Sequence, residues 1–178
     1  MKSGDSTASL DDVECRIGKA ASTFPRLKVC VWKRRNISLT TKMIFNAVVI
    51  TILLYASECW TLLATDLTKL EVFQMSCLRQ ILGVTRRDRL RNDTICRRCK
   101  QQPTVGKHIQ WNRLRWFGHV CHMDDSCLPK CLIWAERPYG WRCPPNAPKK
   151  QWKDQVAANI STHLTRHLYR EPWRQLLT

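Results

Sequence analysis

Acidic residues are scarce in this chain. Its 178 residues include 14 aspartates and glutamates against 30 lysines and arginines, so the formal net charge at pH 7 is +16. A chain that basic repels itself until a polyanion neutralises it, and nucleic acid is the commonest polyanion. The imbalance therefore predicts contact with nucleic acid. A hydrophobic content of 44% predicts a folded core rather than a disordered chain.

Long apolar runs and a signal peptide are missing as well. The longest apolar run, residues 43–56, is broken by Asn46 and Thr51, and a membrane span needs about 20 apolar residues. The first ten residues are polar and lack the apolar segment of a signal peptide. We therefore expect no membrane partner and an intracellular, reducing compartment, where the ten cysteines stay free thiols.

The sequence also lacks the motifs of common catalytic sites. It contains neither a Gly-x-Ser-x-Gly nucleophile turn nor a glycine-rich phosphate loop. The adjacent carboxylates Asp124 and Asp125 resemble the metal-binding pair of a polymerase, but residues 126–136 after them are typical of a short helix. We interpret the pair as caps of that helix. The sequence therefore predicts no catalytic residue and no cofactor.

A zinc site is the alternative that the cysteines raise. Cys96 and Cys99 have the spacing of half a zinc site, and His119 and His122 are candidates for the other half. A second half with the usual ligand spacing does not follow them in the sequence. A small zinc-dependent DNA- or RNA-binding module is therefore kept as an alternative to a metal-free protein.

The apolar periodicity predicts an all-α fold. Residues 66–82 are the clearest amphipathic helix, with Thr65 or Asp66 as its cap and Gly83 as its C-terminal stop. An earlier helix begins near Val13 and is interrupted by Pro25. Other helices are predicted at residues 38–60, 92–102, 104–123, 126–136 and 149–168.

Positive charge is concentrated between residues 86 and 115. Ten lysines and arginines and two aspartates there leave +8, half of the excess of the whole chain. Arginine binds phosphate through its planar fork, and aromatic rings stack on bases. The predicted nucleic-acid contacts are Arg97, Arg98, Lys107, Arg113, Arg115 and Trp116. The large apolar side chains assigned to the core are Trp60, Phe73, Leu78, Phe117 and Trp152.

Several short blocks, taken in order, resemble a known family. Leu53–Trp60, with the sequence LLYASECW, resembles the LLYGSETW signature of non-LTR (LINE-type) retrotransposon reverse transcriptases. Six later blocks are similar to that family's downstream blocks: Lys69–Phe73, Cys77–Gly83, Leu114–Val120, Met123–Asp125, Leu128–Pro129 and Lys149–Asp154. The resemblance covers roughly residues 12–178.

The resemblance implies a position downstream of the catalytic palm. In the family this region forms the helical thumb and a C-terminal extension, which hold the RNA template and the DNA primer. The palm's Tyr/Phe-Ala-Asp-Asp motif does not occur in this sequence, so no catalytic role carries over. The implied partner is RNA or an RNA–DNA hybrid, together with a separately encoded palm domain.

Taken with the predicted helices, the resemblance divides the chain into four parts. They are an N-terminal linker with a short helix (1–40), a thumb-like helical bundle with a basic face (41–135), a proline-rich linker (136–148) and a C-terminal amphipathic helix (149–178).

Departures from the family point to sequence decay. Family members usually have arginine near Cys121 or His122, a basic residue at Trp141 and arginine at Gln151. One C-to-T change on either strand turns CG-type arginine codons into Cys, Trp, His or Gln codons. A non-functional translated remnant of a transposable element is therefore a further alternative.

Overall fold

The described residues are mostly helical. The computed structural model describes residues 7–34, 36–135, 139–140, 142 and 151–164, and it contains no strand among them. The all-α prediction is therefore confirmed. The α-helices are α1 (Thr7–Thr23), α2 (Leu39–Lys42), α3 (Thr51–Leu53), α4 (Ala64–Leu82), α5 (Asn92–Arg98), α6 (Val105–Cys121), α7 (Leu128–Trp134) and α8 (Trp152–Leu164). Short 3-10 helices cover Phe24–Leu27, Ser57–Cys59 and Arg86–Asp88, and wider π-helical turns cover Lys28–Trp32 and Asn46–Ile50.

The chain forms two compact units. The first unit comprises Met1–Ser57 and Leu62–Ile109, and the second comprises Glu58–Thr61 and Gln110–Thr178. Helix α6 begins within the first unit and ends within the second. The four-part division expected from the sequence stays a prediction.

Helix α4 is the longest helix of the first unit and forms where the periodicity predicts it. Leu70, Leu78 and Ile81 are buried along one face, as expected for an apolar stripe with helical spacing. Gly83 ends the helix with a φ of 69°, a left-handed conformation that glycine adopts without steric cost. The predicted cap by Thr65 or Asp66 is wrong, because the residue at the N-cap position is Leu63 and its side chain makes no cap bond.

The predicted single helix over residues 38–60 is wrong. The segment is divided into α2, a π-helical turn, α3 and a 3-10 turn, and Ala56 has a φ of 59°. Five consecutive β-branched residues, 48–52, weaken regular helix here. Phe45, Val49 and Leu53 are nevertheless fully buried, so the apolar positions pack as predicted although the backbone is interrupted.

Residues 24–32, which follow α1, pack on this segment through aromatic rings. Helix α1 begins at Thr7, before the predicted start near Val13, and ends at Thr23, just before Pro25 as predicted. The ring of Phe24 stacks on Trp32 with centroids 5.3 Å apart and meets Phe45 edge-on at 6.2 Å. The indole N–H of Trp32 donates to the Phe24 carbonyl at 2.9 Å, so its one polar group is satisfied inside the core.

The second unit is built on an aromatic cluster. Phe117, Val156 and Ile160 form its buried centre. Trp152 packs against them and donates its indole N–H to the Glu58 carbonyl at 2.7 Å. Phe117 also stacks on Trp134 at 6.0 Å. Helices α6, α7 and α8 are therefore joined around Phe117.

Of the predicted core residues, Trp60, Leu78 and Phe117 are buried. Phe73 and Trp152 are only half-buried, which corrects their assignment. Phe73 lies beside the buried stripe of α4, and the indole N–H of Trp152 needs a polar partner at the edge of the cluster.

The turn before α7 corrects the capping interpretation. The Asp124 carboxylate accepts from the Ser126 backbone N–H at 2.9 Å and from its hydroxyl at 2.7 Å. Asp125 pairs with Lys130 at 2.6 Å. Neither aspartate caps the helix, whose N-cap residue is Cys127. Asp124 instead closes a local turn, as aspartate commonly does.

Only part of the predicted C-terminal region lies within the described residues. Helix α8 lies inside the predicted C-terminal helix, whose residues 165–178 lie outside the described residues. Most of the proline-rich linker also lies outside them. Within the described part of the chain, no helix has the length and apolar character of a membrane span.

Candidate nucleic-acid interface

A cluster of exposed cations covers part of the first unit. Between residues 86 and 107 there are eight lysines and arginines and two aspartates, a net charge of +6. All eight side chains are exposed: Arg86, Arg87, Arg89, Arg91, Arg97, Arg98, Lys100 and Lys107. We call these eight residues the basic cluster.

The 3-10 turn at Arg86–Asp88 presents the first three arginines. Its backbone is held by a reciprocal capping box between Thr85 and Asp88, in which the Thr85 N–H donates to the Asp88 carboxylate at 2.6 Å. Arg89 follows with a φ of 48°. Arg86, Arg87 and Arg89 therefore share one short turn. The carboxylate of Asp88 in that turn is hydrogen-bonded to Thr85.

Helix α5 presents Arg97 and Arg98 from its last turn. Ile95 and Cys99 are fully buried and anchor the helix, while the two arginines are exposed. Arg91 is at the N-cap position of this helix, and its side chain makes no cap bond. Cations in the last turn interact favourably with the helix dipole.

The basic cluster has little internal neutralisation. Among the described residues, no ion pair involves Arg97, Arg98 or Lys107. Lys100 donates to the Thr40 hydroxyl, which is a neutral acceptor. The charge of the cluster is therefore available to a polyanion in solvent.

Arg113 does not fit its predicted role. Its side chain is 5% exposed, and its guanidinium donates from Nη2 to the Trp60 carbonyl at 2.8 Å. Burial lowers the pKa of Arg113. It shares the inward face of α6 with Phe117 and Val120, four and seven residues later. This helical spacing in the sequence indicates that Arg113 faces inward, where it is not accessible to a bound nucleic acid.

The outward face of α6 in the second unit carries a different set. Arg115 is exposed as predicted, and Trp111 and His119, four residues on either side, are exposed too. Residues four apart lie on one helix face. Trp116 is half-buried and packs edge-on against Trp152, with centroids 5.1 Å apart. Trp111, which the predicted contacts left out, is 45% exposed and offers more ring surface to solvent.

The thiols of the zinc candidates are half-buried at Cys96 and buried at Cys99. Burial raises the pKa of Cys99 to about 11 and raises that of Cys96, with a smaller contribution from Asp93. Zinc binds the thiolate, so a raised pKa opposes ligation. His119 and His122 are exposed in the second unit. The described residues contain no group of three or more side chains able to hold a metal ion.

Comparison with known proteins finds a relative of transposon origin. The chain is 25% identical over 184 aligned positions to a Caenorhabditis elegans protein described as transposon-derived and uncharacterized. The alignment covers 90% of this chain but 65% of that protein, so the chain spans less than two thirds of its relative's length. No protein-family profile and no solved structure matches. The similarity supports a transposon-related origin for the chain.

Proposed function

We propose that the chain binds nucleic acid, RNA or an RNA–DNA hybrid, through the basic cluster of its first unit. The observation that carries the proposal is the set of eight exposed cations on residues 86–107, with little internal neutralisation. Binding to phosphates releases the counterions of the nucleic acid, and this release favours association most at low salt.

Arginine dominates the cluster, with six arginines among its eight residues. The guanidinium donates two parallel hydrogen bonds to one phosphate and keeps its charge at any physiological pH. Arg97 and Arg98 are neighbours at the end of α5, so they suit adjacent phosphates of one strand. In the second unit, Arg115 and Trp111 add a cation and a stacking ring on one face of α6.

The proposed origin is the region downstream of the palm of a LINE-type reverse transcriptase. The ordered blocks from Leu53–Trp60 onward support it, as does the transposon-derived relative. On this proposal the chain holds template and primer without catalysing a reaction, and a separately encoded palm domain is a candidate partner. The thumb-like role rests on the resemblance and on the all-α fold.

The test is salt-dependent binding to labelled single-stranded RNA, RNA–DNA hybrid and duplex DNA, followed by fluorescence anisotropy. Each phosphate contact contributes about 0.7 to the slope of log K against log salt for a single strand. The double variant Arg97→Gln/Arg98→Gln should therefore reduce the slope by about 1.4. Its matched control is Lys19→Gln/Arg26→Gln, which removes the same charge from exposed positions on the same unit.

A second variant tests the buried arginine. Arg113→Met should leave the salt slope unchanged, because the guanidinium is held by the Trp60 carbonyl inside the second unit. An equal loss of slope in the Arg97/Arg98 variant and in the Lys19/Arg26 control would show general charge attraction instead of a site. Absence of RNA binding at low salt would overturn the proposal.

The second candidate is that the chain is a translated remnant of a transposable element and has no specific function. The transposon-derived relative favours it, because that description assigns origin and no activity. Such a remnant would bind all three nucleic acids weakly and alike, with equal effects of the two double variants. The same salt titrations therefore separate the two candidates.

A further inference from the structure

A cavity of about 430 Å³ lies on the first unit between α4 and the segment 86–92. Val72, Met75 and Leu90 supply its apolar lining. Its volume falls in the range of small-molecule sites, and its lining combines apolar side chains with polar and charged groups that can orient a ligand. Here Arg79, Arg86 and Glu71 are the charged groups in the lining.

The two arginines differ in how they are held. Arg79 is half-buried and donates from Nη2 to the Asn92 side-chain oxygen at 2.8 Å and to the Leu90 carbonyl at 3.4 Å. Both acceptors are neutral, so its orientation is fixed while its charge is not cancelled by those bonds. Arg86 is exposed and belongs to the turn held by Thr85 and Asp88.

The charges of the lining are separated along the helix axis. Glu71 precedes Arg79 by eight residues on α4, which corresponds to about 12 Å at 1.5 Å per residue. An anionic group is therefore favoured at the Arg79 end and opposed at the Glu71 end, where hydrogen-bond donors are favoured instead. The apolar floor of Val72 and Met75 lies between them in sequence.

We propose that this cavity binds a single nucleotide unit, with its phosphate at Arg79 and Arg86 and its base over Met75 and Leu90. Glu71 accepts from the donor edge of the base, and guanine fits best because its edge carries adjacent N–H donors. The inference rests on the proposed nucleic-acid function for the source of the nucleotide, which would be a base turned out of the bound strand.

The experiment uses guanosine monophosphate as the probe and the full chain as the protein. Chemical-shift changes give its Kd, and guanosine and inorganic phosphate are titrated in parallel. We expect the nucleotide to bind at least about tenfold more tightly than either part, since phosphate alone lacks the contact with Glu71 and guanosine alone lacks the contacts with Arg79 and Arg86. Circular dichroism of every variant confirms that the helices are retained.

Two pairs of variants locate the site. Arg86→Gln should weaken binding by about tenfold, whereas Arg87→Gln removes the same charge from the same turn outside the cavity lining and should change it less than about twofold. Val72→Trp should block the cavity, because Val72 is 53% exposed in its lining, while Val29→Trp alters an exposed valine elsewhere on the unit.

The outcomes distinguish this inference from the proposed function. If RNA binds with the expected salt slope but Arg86→Gln and Arg87→Gln have equal effects on the nucleotide, the cavity proposal is overturned and the proposed function stands. If the nucleotide binds no more tightly than phosphate, the cavity is overturned likewise. If RNA does not bind while the nucleotide binds in an Arg86-dependent way, the cavity is supported and the polynucleotide function is overturned.

Discussion

Replacing Gln74 with leucine should destabilise the first unit although the two side chains are similar in size. Gln74 is fully buried in α4. Its Nε2 donates to the Pro103 carbonyl at 2.8 Å, and its Oε1 accepts from the Val105 backbone N–H at 2.9 Å. The Gln74 side chain therefore provides hydrogen-bond partners for two backbone groups of the segment that leads into α6.

The magnitude follows from the groups left without partners. Val105 is fully buried, so its N–H loses its partner and gains no water, whereas Pro103 is half-buried and its carbonyl can be hydrated. An unsatisfied buried group costs about 1–3 kcal/mol and a lost hydrogen bond to a hydrated group about 1 kcal/mol, while the added apolar burial returns about 1 kcal/mol. The expected net loss is about 1–3 kcal/mol.

Urea unfolding followed by circular dichroism at the helical band measures this loss. The control is Gln80→Leu, which makes the same replacement at an exposed position of the same helix and should stay within about 0.5 kcal/mol of the parent. Equal stability of the two variants would refute the reasoning, because it would mean that the two buried bonds of Gln74 contribute nothing net.

Three other predictions concern conformation, thiol protection and pH. Gly83→Ala should destabilise the protein by about 1 kcal/mol because the φ of Gly83 is 69°. Gly18→Ala in α1 should stabilise it by up to about 1 kcal/mol. Shifts of the urea midpoint in the same direction for both variants would contradict this. In the native protein at pH 8, iodoacetamide should label exposed Cys15 and spare Cys77, whose pKa burial raises to about 12, as peptide mass spectrometry would show. Burial lowers the pKa of His108, so the unfolded chain binds its proton first and stability should fall as pH drops through about 6.5. The variant His108→Gln should flatten that fall, and an unchanged slope of unfolding free energy against pH between about 7 and 5.5 would exclude the histidine as its source.

Much of the candidate interface was predictable because it depends on local features. The number and position of the cations between residues 86 and 107 are properties of the sequence. A charged side chain stays at the surface unless something inside can hold it. Arg97, Arg98 and Lys107 are exposed as that rule predicts. Arg113 is the exception, because the Trp60 carbonyl, 53 residues away in the chain, accepts a hydrogen bond from its guanidinium inside the second unit.

The cavity between α4 and the segment 86–92 was not predictable in the same way. Arg79 lies on the outward side of α4 by periodicity, and the sequence alone marks it as a solvated residue. Its bonds to Leu90 and Asn92 depend on where the chain runs after Gly83. Only that return path brings Arg79 into one lining with Arg86.

The sequence by itself determined the all-α class, the course of α4 up to Gly83 and the concentration of positive charge after it. These features follow from helical periodicity, from the left-handed φ that glycine adopts readily and from composition, all of which act between near neighbours. The tertiary structure decided the burial of Arg113 and the partners of several polar side chains. Asn46 bonds to Gln102 across 56 residues, with distances of 2.9 and 2.7 Å between their side-chain amides. Such partners are set by packing between distant segments, so no local pattern reveals them.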